Sequence, residues 1–273
     1  MADDGLCIYV VGEDEVHRAL AMALVRRVAE ELAVARDADY FEVDGALRWS
    51  GLIETTGVPE RMRWSDIHAD VPESHRVRLA GHIQGQPVGP GARKLRGKFV
   101  ECARADRAAG MVVLLSDTDA DPRLIRGARQ VLDWAATQDD LPPVAIGTPH
   151  CDAEGWLMAT QSLSLEQKVR LASATQVLSF NPSLQPERLT SHPNDAVTDA
   201  KRVLQFVILG AGDVLAHGRP ASKPPNLEAD DLAQALASDL RRLDPLTACR
   251  LAPFIADLRV AVARLLAQHL PAA

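Results

Sequence analysis

Three short apolar runs constrain this chain more than any other feature: LCIYVVG (6–12), MVVLL (111–115) and PPVAIG (142–147). Each is rich in Val, Ile or Leu, too short for a stable helix and apolar throughout, which is the pattern of a strand covered on both faces. Helical patterns stand between them. EDEVHRALAMALVRRVAEELAV repeats Val16, Leu20, Leu24 and Val28 at i, i+4, and GARKLRGKFVECARADRAAG leads directly into Met111. DADPRLIRGARQVLDW has the signature of a helix with Asp121 as its cap and Pro122 in its first turn. DADYFEVDGALRW reads as a further strand with its turn, and AEGWLMATQS as a further helix. Strands alternating with helices imply an α/β fold with a mostly parallel sheet flanked by helices.

Beyond about Gln161 the pattern changes to helices and loops: SLEQKVRLASA, AVTDAKRVLQFVILGAG, NLEADDLAQALASDLRRL and PLTACRLAPFIADLRVAVARLLAQHL. The expected organisation is an α/β unit over 1–160 and a helical region over 161–273 that can pack on it as one unit. The Pro- and Ser-rich HGRPASKPPN (217–226) marks either a boundary or a long surface loop. Residues 50–91, punctuated by proline and histidine, carry no clear pattern. With 273 residues and 47% apolar composition, the chain can bury one substantial core. It has no run of about 18 apolar residues, and MADDGLCIYV is acidic where a secretion signal would be basic, so a cytoplasmic, non-membrane protein is expected. Four scattered cysteines fit reduced thiols rather than a zinc site or a disulfide scaffold.

The candidate chemistry lies in acids placed at strand ends: Glu13, Asp14 and Glu15 after the first strand, Asp117 and Asp119 after the second long apolar run, Asp152 and Glu154 after the last. In a parallel sheet these ends share one edge, so carboxylates remote in sequence can converge on a metal. Asp117 and Asp119, one residue apart, can offer oxygens to a hard cation, Mg²⁺ or Mn²⁺. Acids at helix N-termini also meet the macrodipole whether or not anything binds. Asp121 is the better placed cap, which leaves Asp117 and Asp119 without an obvious structural job. Glu154, among Trp156 and Leu157, reads as a buried carboxylate that needs a partner. Arg93, Lys94, Arg96 and Lys98 either contact a phosphate backbone or form the solvated face of a helix. The net charge of −7 argues against a coat for non-specific nucleic-acid binding but permits such a local patch. His68, His75 and His82 recur every seven residues without zinc-site spacing and read as surface or loop histidines.

Taken in order over about Leu6 to Thr160, YVVGEDE, VVLLSDTD and CDAEGWLMA resemble the Toprim family. The likeness is greatest to the small stand-alone Toprim-like proteins of prokaryotes often encoded beside an overcoming-lysogenisation-defect type ATPase; NPSLQPERL followed by AKRVL is similar to that subfamily's tail. The resemblance implies that Asp117 and Asp119 are the metal-binding D-x-D, that Glu15 is the second acid of the first motif, and that Asp152 and Glu154 are an acidic pair before a tryptophan. The chain departs at Val11, where the family has a glutamate immediately before the glycine. Either Glu13 substitutes from the other side of the glycine, acting with Glu154 as a catalytic acid, or activity is lost. The implied function is a Mg²⁺-dependent phosphodiesterase or nuclease in nucleic-acid processing or phage defence, with nucleic acid and an ATPase subunit as partners. The alternatives are an inactive scaffold or regulatory subunit, and a glycosyltransferase using the D-x-D, which no Gly-rich nucleotide site accompanies.

Overall fold

The structure is a computed structural model that describes residues 6–13, 15–35, 47–50, 52–55, 58–61, 82–83, 86–87, 89–105, 109–118, 121–150, 152–190, 197–210 and 240–269. Asp14, Asp119, His68, His75 and the segment 217–226 lie outside the described residues, as does most of NLEADDLAQALASDLRRL.

The three apolar runs are the strands β1 (Leu6–Gly12), β7 (Met111–Leu115) and β8 (Val144–Gly147) of one four-stranded sheet. The fourth strand, β2 (Leu47–Ser50), is the end of the stretch expected to form a strand after the first helix. The order is β2-β1-β7-β8 and every pairing is parallel. Two short antiparallel pairs, β3 (Leu52–Thr55) with β4 (Val58–Arg61) and β5 (His82–Ile83) with β6 (Gln86–Pro87), fall in the region that carries no clear sequence pattern.

Helices cover both faces. On one side α1 (Glu15–Val34), α4 (Ala153–Thr160) and the long α7 (Leu251–His269) share a core with Leu6, Ile8 and Val10 of β1 and Met111, Val113 and Leu115 of β7. On the other side α2 (Pro90–Ala105) and α3 (Pro122–Ala135) enclose Tyr9, Val11, Val112 and Leu114. The strict alternation of odd and even positions between two cores is why these strands are apolar throughout. Asp121 caps α3 as expected, its carboxylate accepting from the Arg123 amide at 2.8 Å.

The residues after 161 do not form a separate core among the described segments. Leu178 of α5 (Leu165–Leu178), Val203 and Leu204 of α6 (Ala200–Leu204), and Phe254, Leu258 and Val262 of α7 all belong to the α1-side core. The Trp156 indole stacks on Phe254 with centroids 5.2 Å apart and donates to the Cys249 carbonyl at 2.6 Å. Arg259 of α7 reaches Glu31 of α1 at 3.2 Å. The helix expected to begin near Pro245 begins instead at Leu251. Residues 247–250 form a turn, and Arg250 has φ 72°, a left-handed conformation that cannot continue a right-handed helix.

Candidate metal centre

The chain runs from β1 to β2 on one side and returns to β7 on the other, so the sheet changes direction between β1 and β7. Ligands of open α/β sheets bind in the crevice beyond the carboxyl ends of the strands at such a switch point. Both flanking strand ends carry an acid. The register pairs Gly12 with Leu115, so the next pair on the rim is Glu13 and Ser116. The Ser116 hydroxyl donates to Glu13 Oε1. Ser116 is itself fixed, fully buried and with its amide on the Gly147 carbonyl at 3.1 Å.

Position 117 returns to the face of Met111, Val113 and Leu115, the α1 side. There Asp117 Oδ1 lies 3.0 Å from Nε2 of His17, in the first turns of α1. Thr118 anchors the segment beyond it, with its amide and hydroxyl on the Pro149 carbonyl at 3.2 and 2.8 Å. The close approach of α1 to the strand depends on Gly12. A Cβ there would sit 2.5 Å from the His17 Cβ and 2.9 Å from Arg18 Cγ, so a side chain at this position would displace the helix that carries His17. One donor atom each from Glu13, His17 and Asp117 then lies within 4.8 Å of the other two. The donor set of two carboxylate oxygens and an imidazole nitrogen suits a divalent ion.

A second acidic group adjoins the first. Asp152, Glu154 and Asp199 are all buried, the first two at 4% exposure. Lys201 Nζ lies 3.6 Å from Glu154 Oε1, a nearby cation that favours the ionised form against the burial that disfavours it. Burial pushes Glu154 up to about 9, helped by its hydrogen bond to Asp152 and the Asp152 charge and opposed by Lys201, so the environment favours its protonated form. Burial raises Asp117 to about 6; contact with His17 opposes this, and the charges of Asp152 and Glu13 add to it. Asp199 is raised by burial, although its carboxylate caps α6 by accepting from the Arg202 amide at 2.8 Å. The Asp152 charge acts on Asp117, Glu154 and Asp199 alike, which puts the two groups in electrostatic contact.

Among the residues singled out in the sequence, Glu13 and Asp117 come together, and Glu154 lies in the adjoining group. Glu15 begins α1, and its side chain lies outside the description, as does Asp119. Val11 is fully buried in the α2–α3 core, opposite Leu114. An acid there would sit among apolar side chains, whereas Glu13 stands at the rim. The basic run does not share one environment. Arg93 and Lys94 are exposed, the Arg96 guanidinium lies over the Trp134 ring at 4.2 Å, and Lys98 is buried at 3% exposure. Residues that the sequence reading does not single out are His17, Ser116, Asp199 and Lys201. His17 carries no local signal, since Glu13 follows a strand and lies outside α1, so their meeting depends on how the helix packs on the sheet.

Two cavities of about 570 and 390 Å³ open at the opposite end of the sheet, around Gly110 and Pro142, and none of Glu13, His17 and Asp117 lines either. No helix among the described residues is long and apolar enough to cross a membrane. Compared with family models, with curated proteins and with solved structures, the chain matches none.

Proposed function

We propose that the rim between β1 and β7 holds a divalent cation, and that the protein is a Toprim-like, cation-dependent phosphodiesterase of a prokaryotic nucleic-acid-processing or defence system, acting in the cytoplasm. One observation carries this reading: Glu13, His17 and Asp117, from two strand ends and a helix, present donor atoms within 4.8 Å of one another at the topological switch point. A cation bound there would supply positive charge for a phosphate and for the oxygen leaving it. The protein's own residues do the rest. Ser116 holds Glu13 in place, Gly12 admits His17, and Glu154, whose carboxyl burial holds well above the usual range, would serve as the proton donor to a leaving oxygen. Arg93 and Lys94 are exposed, as a contact with a nucleic-acid backbone would require.

The test is cleavage of supercoiled plasmid and of RNA by protein stripped with chelator and reloaded with Mg²⁺ or Mn²⁺. The proposal expects cation-dependent cleavage that Asp117→Ala abolishes. Cleavage that survives Asp117→Ala would refute it. The departure at Val11 supports a second reading, a cation-binding but non-cleaving subunit that works with an ATPase partner. Protein that binds the ion, cleaves neither substrate, and purifies in complex with an ATPase would establish that reading instead.

A further inference from the structure

We propose that His17 is a direct ligand at this site and that the site therefore favours a transition-metal ion of the Mn²⁺ or Co²⁺ class over Mg²⁺. The inference rests on the cation-binding reading above and narrows it. A pair of aspartates offers only oxygens, which is the chemistry of Mg²⁺. Imidazole nitrogen is a softer donor that Mg²⁺ takes reluctantly and later first-row ions take well. The side chain of His17 is 3% exposed and its Nε2 faces the carboxylates rather than solvent.

The spacing carries the argument further. Two donors each about 2.1 Å from an ion and at right angles to one another stand about 3.0 Å apart, the edge of an octahedron. The distance from His17 Nε2 to Asp117 Oδ1 is 3.0 Å. Asp117 Oδ1 is buried and His17 Nε2 is turned toward it, so the contact that serves as an ion pair without metal already has the spacing of two neighbouring ligands. Glu13, on the other side of the rim and restrained by Ser116, would add a second carboxylate oxygen to the donor set, its ligand atom within 4.8 Å of the other two.

The experiment uses the full chain stripped of metal. Isothermal titration with MnCl₂, CoCl₂ and MgCl₂ gives the affinities, and pulsed electron paramagnetic resonance of the Mn²⁺-loaded protein detects directly bound nitrogen. Mn²⁺ and Co²⁺ should bind tighter than Mg²⁺ by about tenfold or more, and the Mn²⁺ spectrum should carry imidazole ¹⁴N coupling. His17→Gln should remove that coupling and reduce the preference by about the same factor. Because the spectrum of the unsubstituted protein reports the ligand, the inference stands or falls even if the variant misfolds. Bound Mn²⁺ without nitrogen coupling, or equal affinity for Mg²⁺ and Mn²⁺, would overturn it while leaving the cation-binding reading intact. Failure of every ion to bind would overturn both.

Discussion

Asp117→Asn should stabilise the metal-free protein at alkaline pH, and by an amount that depends on pH in a calculable way. Asp117 is raised to about 6 in the folded chain, against an ordinary value of 3.8. The folded state therefore keeps this proton where the unfolded state has lost it. Stability associated with the group is fully present below about 3.8 and is lost as pH rises through about 6. The rise from 3.8 to about 6, in which the opposing contact with His17 is already included, corresponds to about 3 kcal/mol at most. Asparagine keeps the shape and never ionises. The advantage of Asp117→Asn over the unsubstituted protein should be near zero at pH 4, grow between pH 4 and 6, and level off at about 1–3 kcal/mol by pH 8. For a chain of this size that is about 2–10 °C in melting temperature. The assay is urea or thermal unfolding of both proteins in chelator across that range. Saturating Mn²⁺ should reverse the order, since binding to the folded state stabilises only the protein that has the ligand. A variant less stable than the unsubstituted protein at pH 8 in chelator, or a difference that does not change with pH, would refute the reasoning.

Three further outcomes are expected. Gly12→Ala drives a methyl into His17 and Arg18 and should cost about 1–3 kcal/mol in urea unfolding, together with metal affinity measured by titration calorimetry. Ser116→Ala removes the restraint on Glu13 and should weaken cation binding by about 10–100-fold in the same calorimetric assay, while far-ultraviolet circular dichroism stays unchanged. Glu154→Gln imitates the protonated acid that burial favours, so the variant should be at least as stable as the unsubstituted protein at pH 7. Its margin should widen as pH rises toward 9, because the raised carboxyl contributes stability that is present below about 4.5 and lost through about 9; thermal melts across pH 5–9 follow it.

The sheet was legible because its strands are apolar at every position, and runs such as MVVLL have no competing explanation once helical patterns flank them. Asp121 was legible as a cap because capping is local: the residue, the proline after it and the periodic helix are adjacent in sequence. The candidate metal centre was legible only in part. Glu13 and Asp117 follow apolar runs, but their meeting depends on β1 and β7 being neighbours, which no local pattern encodes. The face on which each side chain lands depends on the pleat: Asp117 shares the odd face of β7 with Met111, and so meets α1 and His17 rather than α2. The role of Ser116 depends on the register of two strands about a hundred residues apart in sequence. The basic run misled in a similar way. Arg93 to Lys98 is continuous in sequence, yet successive helical positions turn about a third of the way round the axis. Lys98 is therefore buried and Arg96 is laid over Trp134, while Arg93 and Lys94 stay in solvent.

Glu13, His17 and Asp117 are proposed to hold one ion together. Crystals grown with MnCl₂ and measured at the manganese absorption edge address that directly. An anomalous peak within bonding distance of all three side chains is the predicted result; a map with manganese bound only elsewhere, or with none on the rim between β1 and β7, would contradict it.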